Sequence, residues 1–283
     1  MKVQAVQALK ADYPLALVLE VAGLARSTYF YHQARRGRPD PHAALKAAIQ
    51  THFTHAHGRY GHRRIHRELG THGWRIAKKT VLARMRELGL VCRVRRRKRG
   101  ITSHGAVGVT APNVLNRVFT ASAPHQRWVS DVTEFRIGDE KCYLAPVMDL
   151  FDRQIIAYTL GRAPTLDLAT SALRQALATL PVGAQPLVHT DQGFQYQHRA
   201  WHTLLAEAGA TASMSRKGNC LDNAVIESFF GHLKSELLLE RFASVTALET
   251  ALHDYIHWYN HERTSATLQG QSPVQYRTLM GWT

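Results

Sequence analysis

Three acidic residues, Asp131, Asp191 and Glu227, stand where carboxylates could act together on a phosphate ester. Asp131 lies in the strand-like segment WVSDVTEF, Asp191 lies between an apolar strand and a glycine turn in VHTDQG, and Glu227 lies in a helical segment. Such carboxylates can hold two Mg²⁺ or Mn²⁺ ions about 3.5–4 Å apart, because hard oxygen ligands suit these ions. In an in-line displacement at a phosphodiester, the attacking and leaving oxygens both develop negative charge that the ions stabilise. The three acids therefore predict metal-dependent phosphodiester chemistry.

Each acid, considered alone, also has a structural explanation. A single carboxylate can cap a helix, form a turn or remain a solvated surface charge. The flanking residues His189, Gln192 and Asn223 can orient a water or a phosphate, or simply make local hydrogen bonds. Only a fold that brings the three acids together separates these alternatives.

A predicted helix from Leu221 to about Leu239 has to carry Glu227 to the sheet. Its apolar residues recur at helical spacing and form the face that should pack on the sheet: Ile226, Phe229, Leu233 and Leu237. Glu227 lies about 100° around the helix from Ile226. It therefore shares a polar stripe with Asn223 and Lys234, at the border of the buried face. A carboxylate at this position can project over the sheet edge toward the two aspartates.

From about residue 126 the chain alternates between strand-like and helix-like segments. Strand patterns occur in QRWVSDVTEFRI, KCYLAPVMDLF, QIIAYTLG, PLVHTD and TASMS, and helix patterns at about 166–180, 197–208, 221–239 and 245–260. This order predicts an α/β domain with a mixed five-stranded sheet and flanking helices.

The positive charge is concentrated in the first third of the chain. Residues 1–99 contain 22 Lys and Arg against five Asp and Glu, whereas residues 100–283 contain 14 against 16. Residues 15–33 predict two helices joined by a turn at Gly23, and residues 43–91 predict three short helices with basic faces. The run RVRRRKR at 93–99 is predicted to be extended when it is not bound. The front third therefore predicts small all-α helix-turn-helix modules that bind a polyanion such as DNA.

Several basic and polar residues are candidates for contacts with double-stranded DNA. The candidates are Arg26, Ser27, Arg63, Arg64, Lys78, Lys79, Arg95, Arg96, Arg97, Arg216, Lys217 and Lys234. Arg216 and Lys217 belong to a basic, glycine-containing loop just before the helix that carries Glu227. That position predicts contact with the strand that is cut.

The remaining composition excludes several classes of protein. No run approaches the roughly 18 apolar residues that span a bilayer, and three scattered cysteines favour a reducing compartment. We therefore expect a cytoplasmic protein that is nucleoid-associated when bound to DNA. His52, His55 and His57 lie close together, but no Cys or further ligand follows at zinc spacing, so we interpret them as structural or DNA-facing residues.

The chain resembles the OrfB-type transposases of bacterial insertion sequences, whose cores are related to retroviral integrases. The matching segments are YGHRRIHRELGTHGW, APNVLNRVF, QRWVSDVTEF, VHTDQGFQY, SRKGNCLDNAVIESFFGHLKSEL and YNHERTSATLQGQSPVQY, within about residues 15–276. The spacing of the acids is distinctive, with 59 residues between Asp131 and Asp191 and 35 between Asp191 and Glu227. Lys234 matches a basic residue that the family places two helical turns after the glutamate. One departure is that Arg263 is followed by Thr264 and Ser265, where such proteins usually have a histidine two residues after the arginine.

The resemblance implies a ribonuclease H-like core with an Asp131–Asp191–Glu227 metal site. It also implies 3′-end cleavage and strand transfer at the terminal inverted repeats of a mobile element. A homo-oligomer on DNA and the product of an upstream reading frame are the implied protein partners. The expected domains are 1–40 and 41–92 for the two DNA-binding modules, 93–120 for the linker, and 121–283 for the core and its helical tail. The alternatives are a non-catalytic DNA-binding regulator and a ribonuclease H-type nuclease without strand transfer.

Overall fold

The computed structural model describes residues 2–36, 39–93, 108–216, 219–237 and 242–282. Its first unit consists of α1 (Lys2–Leu9), α2 (Leu15–Val21) and α3 (Arg26–Arg36). These helices enclose a small core of their own, formed by Val6, Val18, Leu19 and Tyr29. Gly23 has a φ of 56° between α2 and α3, a backbone angle that favours glycine. The predicted turn at this glycine is confirmed.

The second unit contains α4 (Ala43–His55), α5 (His62–Thr71) and α6 (Lys78–Glu87). The apolar residues of the three helices meet in one buried cluster: Leu45, Ile49, Ile65, Leu69, Val81 and Met85. The three helices predicted between residues 43 and 91 are therefore confirmed.

Six strand segments form the sheet of the second half of the chain. They are β1 (Arg127–Ser130), β2 (Thr133–Ile137), β3 (Glu140–Asp149), β4 (Ile155–Gly161), β5 (Leu187–Thr190) and β6 (Thr211–Met214). β1 and β2 pair with β3 in one continuous antiparallel register, from Trp128 opposite Asp149 to Ile137 opposite Glu140. They are two halves of one strand, so the sheet has five strands in the order β4-β3-β1/β2-β5-β6. β1, β5 and β6 run parallel.

The strand predicted in QRWVSDVTEFRI is confirmed as β1 and β2, with one interruption. The strand is interrupted at Asp131 and Val132. The backbone N–H of Val132 donates a hydrogen bond of 2.7 Å to Asp131 Oδ1. A short acidic side chain that accepts a bond from the next backbone amide competes with the hydrogen-bond ladder of the sheet.

Helices cover both faces of the sheet. They are α7 (Leu166–Leu177), α8 (Phe194–Gln197), α9 (Arg199–Glu207), α10 (Ala224–Leu237), α11 (Val245–His261) and α12 (Pro273–Leu279). The predicted helix from Leu221 begins differently: a 3₁₀ turn at Cys220–Asn223 precedes α10. In that turn the carboxylate of Asp222 accepts a hydrogen bond from the backbone N–H of Arg216. A contact with a residue outside the helix therefore holds the 3₁₀ turn. No helix in the described ranges is long and apolar enough to cross a membrane.

The two faces of the sheet have separate cores. On one face, α7 and α9 pack around Trp128 and Trp201. On the other face, the apolar residues of α10 and α11 join those of α4, α5 and α6 in a single cluster. The second helical unit therefore shares its hydrophobic core with the sheet domain, and packing is continuous across the boundary that we expected near residue 92.

Candidate active site

Asp131 lies at the interruption of the central strand. Burial raises the pKa of Asp131 well above its ordinary value, and the charge of Asp191 raises it further. Glu227 also raises this pKa, whereas Lys234 lowers it. Charges act in this way only over short distances, so the fold brings the three predicted acids to one place.

Asp191 follows directly after β5, the strand that runs parallel to β1. Its Oδ1 accepts the backbone N–H of Gly193 at 2.8 Å, which holds the turn at the C-terminal end of β5. A Cβ atom at Gly193 would come within 2.9 Å of that same oxygen. The glycine therefore lets the backbone approach the carboxylate closely and fixes its orientation.

Glu227 lies in the first turn of α10, and Lys234 lies two turns further along the same helix. The Nζ atom of Lys234 is 5.3 Å from the ring centroid of Phe135 on β2. The ammonium group thus reaches across to the central strand beside the acids. Glu227 and Lys234 of the predicted polar stripe therefore face Asp131, whereas Asn223 lies in the 3₁₀ turn before α10.

The ligand atoms of Asp131, Asp191 and Glu227 do not all lie within 4.8 Å of one another. Among the described residues, one group of three His, Cys, Asp or Glu side chains has ligand atoms that all lie within 4.8 Å of one another, and it does not include these acids. All three potential ligands are carboxylates, and their side chains are partly buried. Carboxylate oxygens are the ligands that hard divalent cations prefer.

The residues that flank Asp191 make structural hydrogen bonds. His189 Nδ1 is 2.8 Å from Ser213 Oγ, and His189 Nε2 is 3.0 Å from Ser215 Oγ. Burial lowers the pKa of His189 to about 4, so the ring is neutral. Gln192 Nε2 donates to the carbonyl oxygen of Ser215 at 3.0 Å. Together these contacts connect the end of β5 to β6 and to the residue that follows Met214. They support the position of Asp191.

A buried ionic network around Asp222, just before α10, was not predicted from the sequence. Asp222 is fully buried and accepts hydrogen bonds from Asn113 at 2.9 Å, from Arg117 at 2.7 Å and from Arg216 at 2.8 and 2.9 Å. These arginines, Arg216 first, hold the pKa of Asp222 well below its usual range. Arg216 therefore has a structural partner, although about half of its side chain stays exposed. Arg117, the other arginine that binds Asp222, lies 105 positions before it in the chain, so no local pattern could have indicated the network.

The structure distributes the other predicted DNA contacts over several surfaces. Arg26 and Ser27 are exposed at the start of α3, and Arg63, Lys78 and Lys79 are exposed on the second unit. Arg64 differs, because it forms an ion pair of 3.2 Å with Glu236 of α10. Arg95, Arg96, Arg97 and Lys217 lie outside the described residues.

Profiles of known domain families match most of this chain. A profile described as integrase core domain matches residues 121–220, and a second with the same description matches residues 227–280. A profile described as HTH-like domain matches residues 41–98.

Two curated relatives are similar over nearly the whole chain. InsK, the transposase assigned to insertion sequence element IS150 of Escherichia coli strain K12, is 43% identical over 270 residues, with 95% of each chain covered. The transposase assigned to insertion sequence element IS1353 of Shigella flexneri is 40% identical over 283 residues, which are 99% of this chain and 55% of that relative. The chain belongs to the insertion-sequence transposases.

In this transposase an HTH-like module precedes a ribonuclease H-like core of the integrase type. The enzyme is a DDE-type polynucleotidyl transferase. The α/β fold and the family predicted from the sequence are thus confirmed. Among solved structures, the catalytic core of HTLV-2 integrase in complex with magnesium aligns with 55% of this chain and 97% of its own, at 19% identity and a TM-score of 0.43.

Proposed function

We propose that Asp131, Asp191 and Glu227 are the catalytic residues of this transposase. In this proposal they hold two Mg²⁺ or Mn²⁺ ions and support 3′-end cleavage and strand transfer at the terminal inverted repeats of a mobile element. The observation that carries the proposal is the mutual electrostatic influence of these acids, which come from three separate elements of the fold. A strand-transfer assay on variants in which each acid is neutralised tests it.

Each residue of the site has a distinct task in this proposal. Asp131 is held by the interrupted central strand and Asp191 by its turn to Gly193, so both carboxylates are oriented before an ion arrives. Glu227 comes from the start of a helix on the sheet face and supplies the third charge. Bound ions would stabilise the attacking and leaving oxygens of the phosphodiester. Lys234, beside the acids, offers a cation to a neighbouring phosphate of the DNA.

Double-stranded DNA from the element ends and from the target is the proposed substrate. The excess of Lys and Arg in residues 1–99 supplies the electrostatic attraction. Exposed Arg26 and Lys78 lie on helices that belong to two different units, which would allow contact with more than one segment of a DNA end. We further infer that the protein forms a homo-oligomer on DNA and acts together with the product of an upstream reading frame.

The basic run should dominate the salt dependence of binding. In the full-length chain, replacing Arg95, Arg96 and Arg97 together by Ala should flatten the log–log dependence of DNA affinity on salt by about 0.9 per lost phosphate contact. Binding to element-end DNA over a range of salt concentrations measures this slope. The full chain is needed because the second helical unit shares its core with the sheet domain. An unchanged slope would show that the run does not contact phosphates.

The loop before α10 provides a separate test. Arg216→Ala and Lys217→Ala should each reduce strand transfer more than they reduce the melting temperature. For Arg216 the reason is that Asp222 keeps Arg117 and Asn113 as partners when the exposed guanidinium is removed. Parallel strand-transfer and thermal unfolding measurements compare the two effects. If activity falls only in proportion to melting temperature, both side chains act structurally.

A further inference from the structure

A group of potential metal ligands lies in the second helical unit, away from the acids. His52 in the last turn of α4, Glu68 on α5 and His72 at the C-terminus of α5 each offer one ligand atom, and these atoms lie within 4.8 Å of one another. The imidazole rings of His52 and His72 have centroids 4.7 Å apart. Two nitrogens and one carboxylate oxygen thus converge from two different helices.

The hydrogen bonds of His72 suit a metal ligand. Its Nδ1 atom is 2.8 Å from the backbone carbonyl oxygen of Glu68. This contact favours the tautomer with the proton on Nδ1, so the lone pair is on Nε2. Metal-binding histidines typically donate their second ring N–H to a carbonyl or carboxylate in this way.

A cavity of about 180 Å³ adjoins the group. His52 and Glu68 line it together with His55, with Trp258 of α11 and with Glu262 at the end of that helix. Such a cavity has room for an ion and for a water molecule in a fourth ligand position. His55 Nε2 lies 3.5 Å from Glu262 Oε2, so a contact between the second unit and the end of α11 lies beside the cavity.

The donor atoms need only small side-chain movements to bind an ion. Tetrahedral ligands at about 2.0–2.2 Å from zinc lie roughly 3.3–3.5 Å from one another, which is less than the 4.8 Å limit of this group. His72 is exposed and His52 is half-buried, so both rings can turn.

We propose that His52, Glu68 and His72 bind a divalent transition ion of the zinc type. The ion ties α4 to α5 at the junction between the HTH-like unit and the core, and it stabilises that junction. Imidazole nitrogens favour this class of ion, whereas the three acids of the core favour Mg²⁺ or Mn²⁺. Spacing along the chain favours a structural or DNA-facing role for His52, because Glu68 and His72 lie 16 and 20 residues after it and meet it only in the folded helices.

Cobalt spectroscopy on the full-length, tag-free transposase tests the site. The parent protein carries Asp131→Asn, Asp191→Asn and Glu227→Gln, which removes the carboxylate site from the titration. Co²⁺ should give the intense visible absorption of a four- or five-coordinate ion, saturating at one equivalent, and Zn²⁺ should displace it. Adding His72→Ala or Glu68→Gln should weaken binding more than about 100-fold, since even an outer-shell partner is worth about 10–100-fold in metal affinity.

A matched control is available on α11. His257 and His261 are exposed and four residues apart on this helix, with ring centroids 4.5 Å apart. They are a second histidine pair that could bind Co²⁺ in place of the proposed site. His261→Ala should leave the cobalt spectrum unchanged. Zn²⁺ should raise the melting temperature of the parent and of this control, but not that of the His72→Ala variant. A spectrum that survives His72→Ala, or is lost in His261→Ala, overturns the proposal, as does the absence of any cobalt absorption in a folded parent.

Discussion

Asp131→Asn, Asp191→Asn and Glu227→Gln are each expected to abolish cleavage and joining of element-end DNA in the presence of Mg²⁺. Each substitution keeps the shape of the side chain and removes one of the charges that would hold the ions. Loss of an outer-shell partner already costs about 10–100-fold in activity, so loss of a charged ligand should cost more. A strand-transfer assay with labelled element-end DNA measures the effect.

The same variants should keep their fold and their affinity for DNA. Burial and the neighbouring acids raise the pKa of Asp131, so removal of one charge relieves repulsion and the melting temperature without metal should hold or rise. Mg²⁺ should stabilise the wild type more than the variants. If the acids were caps or turn formers, each change would instead cost about 1–3 kcal/mol, and activity would fall only with stability.

Glu134→Gln is a suitable control for these variants. Glu134 lies on β2, three residues after Asp131, and its carboxylate contacts Lys141 and Tyr143 at the surface. This variant should retain strand transfer. Substantial joining by any of the three acid variants would falsify the assignment of catalytic residues. A wild-type protein that binds element ends without cutting or joining them would support the alternative of a DNA-binding regulator.

Arg263→Ala should destabilise the transposase by about 3–5 kcal/mol, the usual cost of leaving a buried charge without its partner. Arg263 and Glu236 are both almost fully buried, with two hydrogen bonds of 2.7 and 2.8 Å between them. Glu236 also accepts bonds from Tyr255 at 2.8 Å and from Arg64 at 3.2 Å. Urea unfolding of the full chain measures the loss of free energy.

A surface ion pair provides the control for this prediction. Arg162 lies 3.5 Å from Glu140 and 3.4 Å from Glu249, and half of its side chain is exposed. Exposed pairs contribute roughly 0–1 kcal/mol, so Arg162→Ala should have a small effect. Equal losses in Arg263→Ala and Arg162→Ala would contradict the importance of the buried network.

The buried network also predicts a dependence of stability on pH. Burial alone would raise the pKa of Glu236, but the hydrogen bonds and charge of Arg263, with Arg64, lower it to about 2 from an ordinary 4.5. A carboxylate with a lowered pKa in the folded state stabilises fully above pH 4.5 and loses this contribution as the pH falls toward 2. The difference in stability between the wild type and Glu236→Gln should therefore shrink over that window. A difference that stays constant from pH 6 to pH 3 would contradict this linkage.

The network gives a structural role to a tail that departs from the family pattern. Arg263 is followed by Thr264, whose backbone N–H donates to Tyr60 Oη at 2.8 Å. The tail therefore binds α10 through Glu236 and the second helical unit through Tyr60. These contacts hold Arg263 and Thr264 in buried positions, although the usual histidine is absent.

The sequence by itself determined the elements of this protein and the identity of its candidate catalytic acids. Apolar spacing located the helices, runs of β-branched and aromatic residues located the strands, and the distances between Asp131, Asp191 and Glu227 indicated the family. These signals are local or depend on fixed spacing along the chain, so they are readable without a fold. The excess of basic residues in the first third indicated a polyanionic partner for the same reason, since charge adds up without regard to conformation.

Only the tertiary structure decided how these parts are joined. The network around Glu236 unites Arg64, Tyr255 and Arg263, and the network around Asp222 unites Asn113, Arg117 and Arg216, across as many as 172 positions of sequence. The shared core of the second helical unit and the sheet domain has the same origin. A buried charge selects its partners by distance and desolvation in the folded chain, and these quantities leave no periodic pattern in the order of the residues.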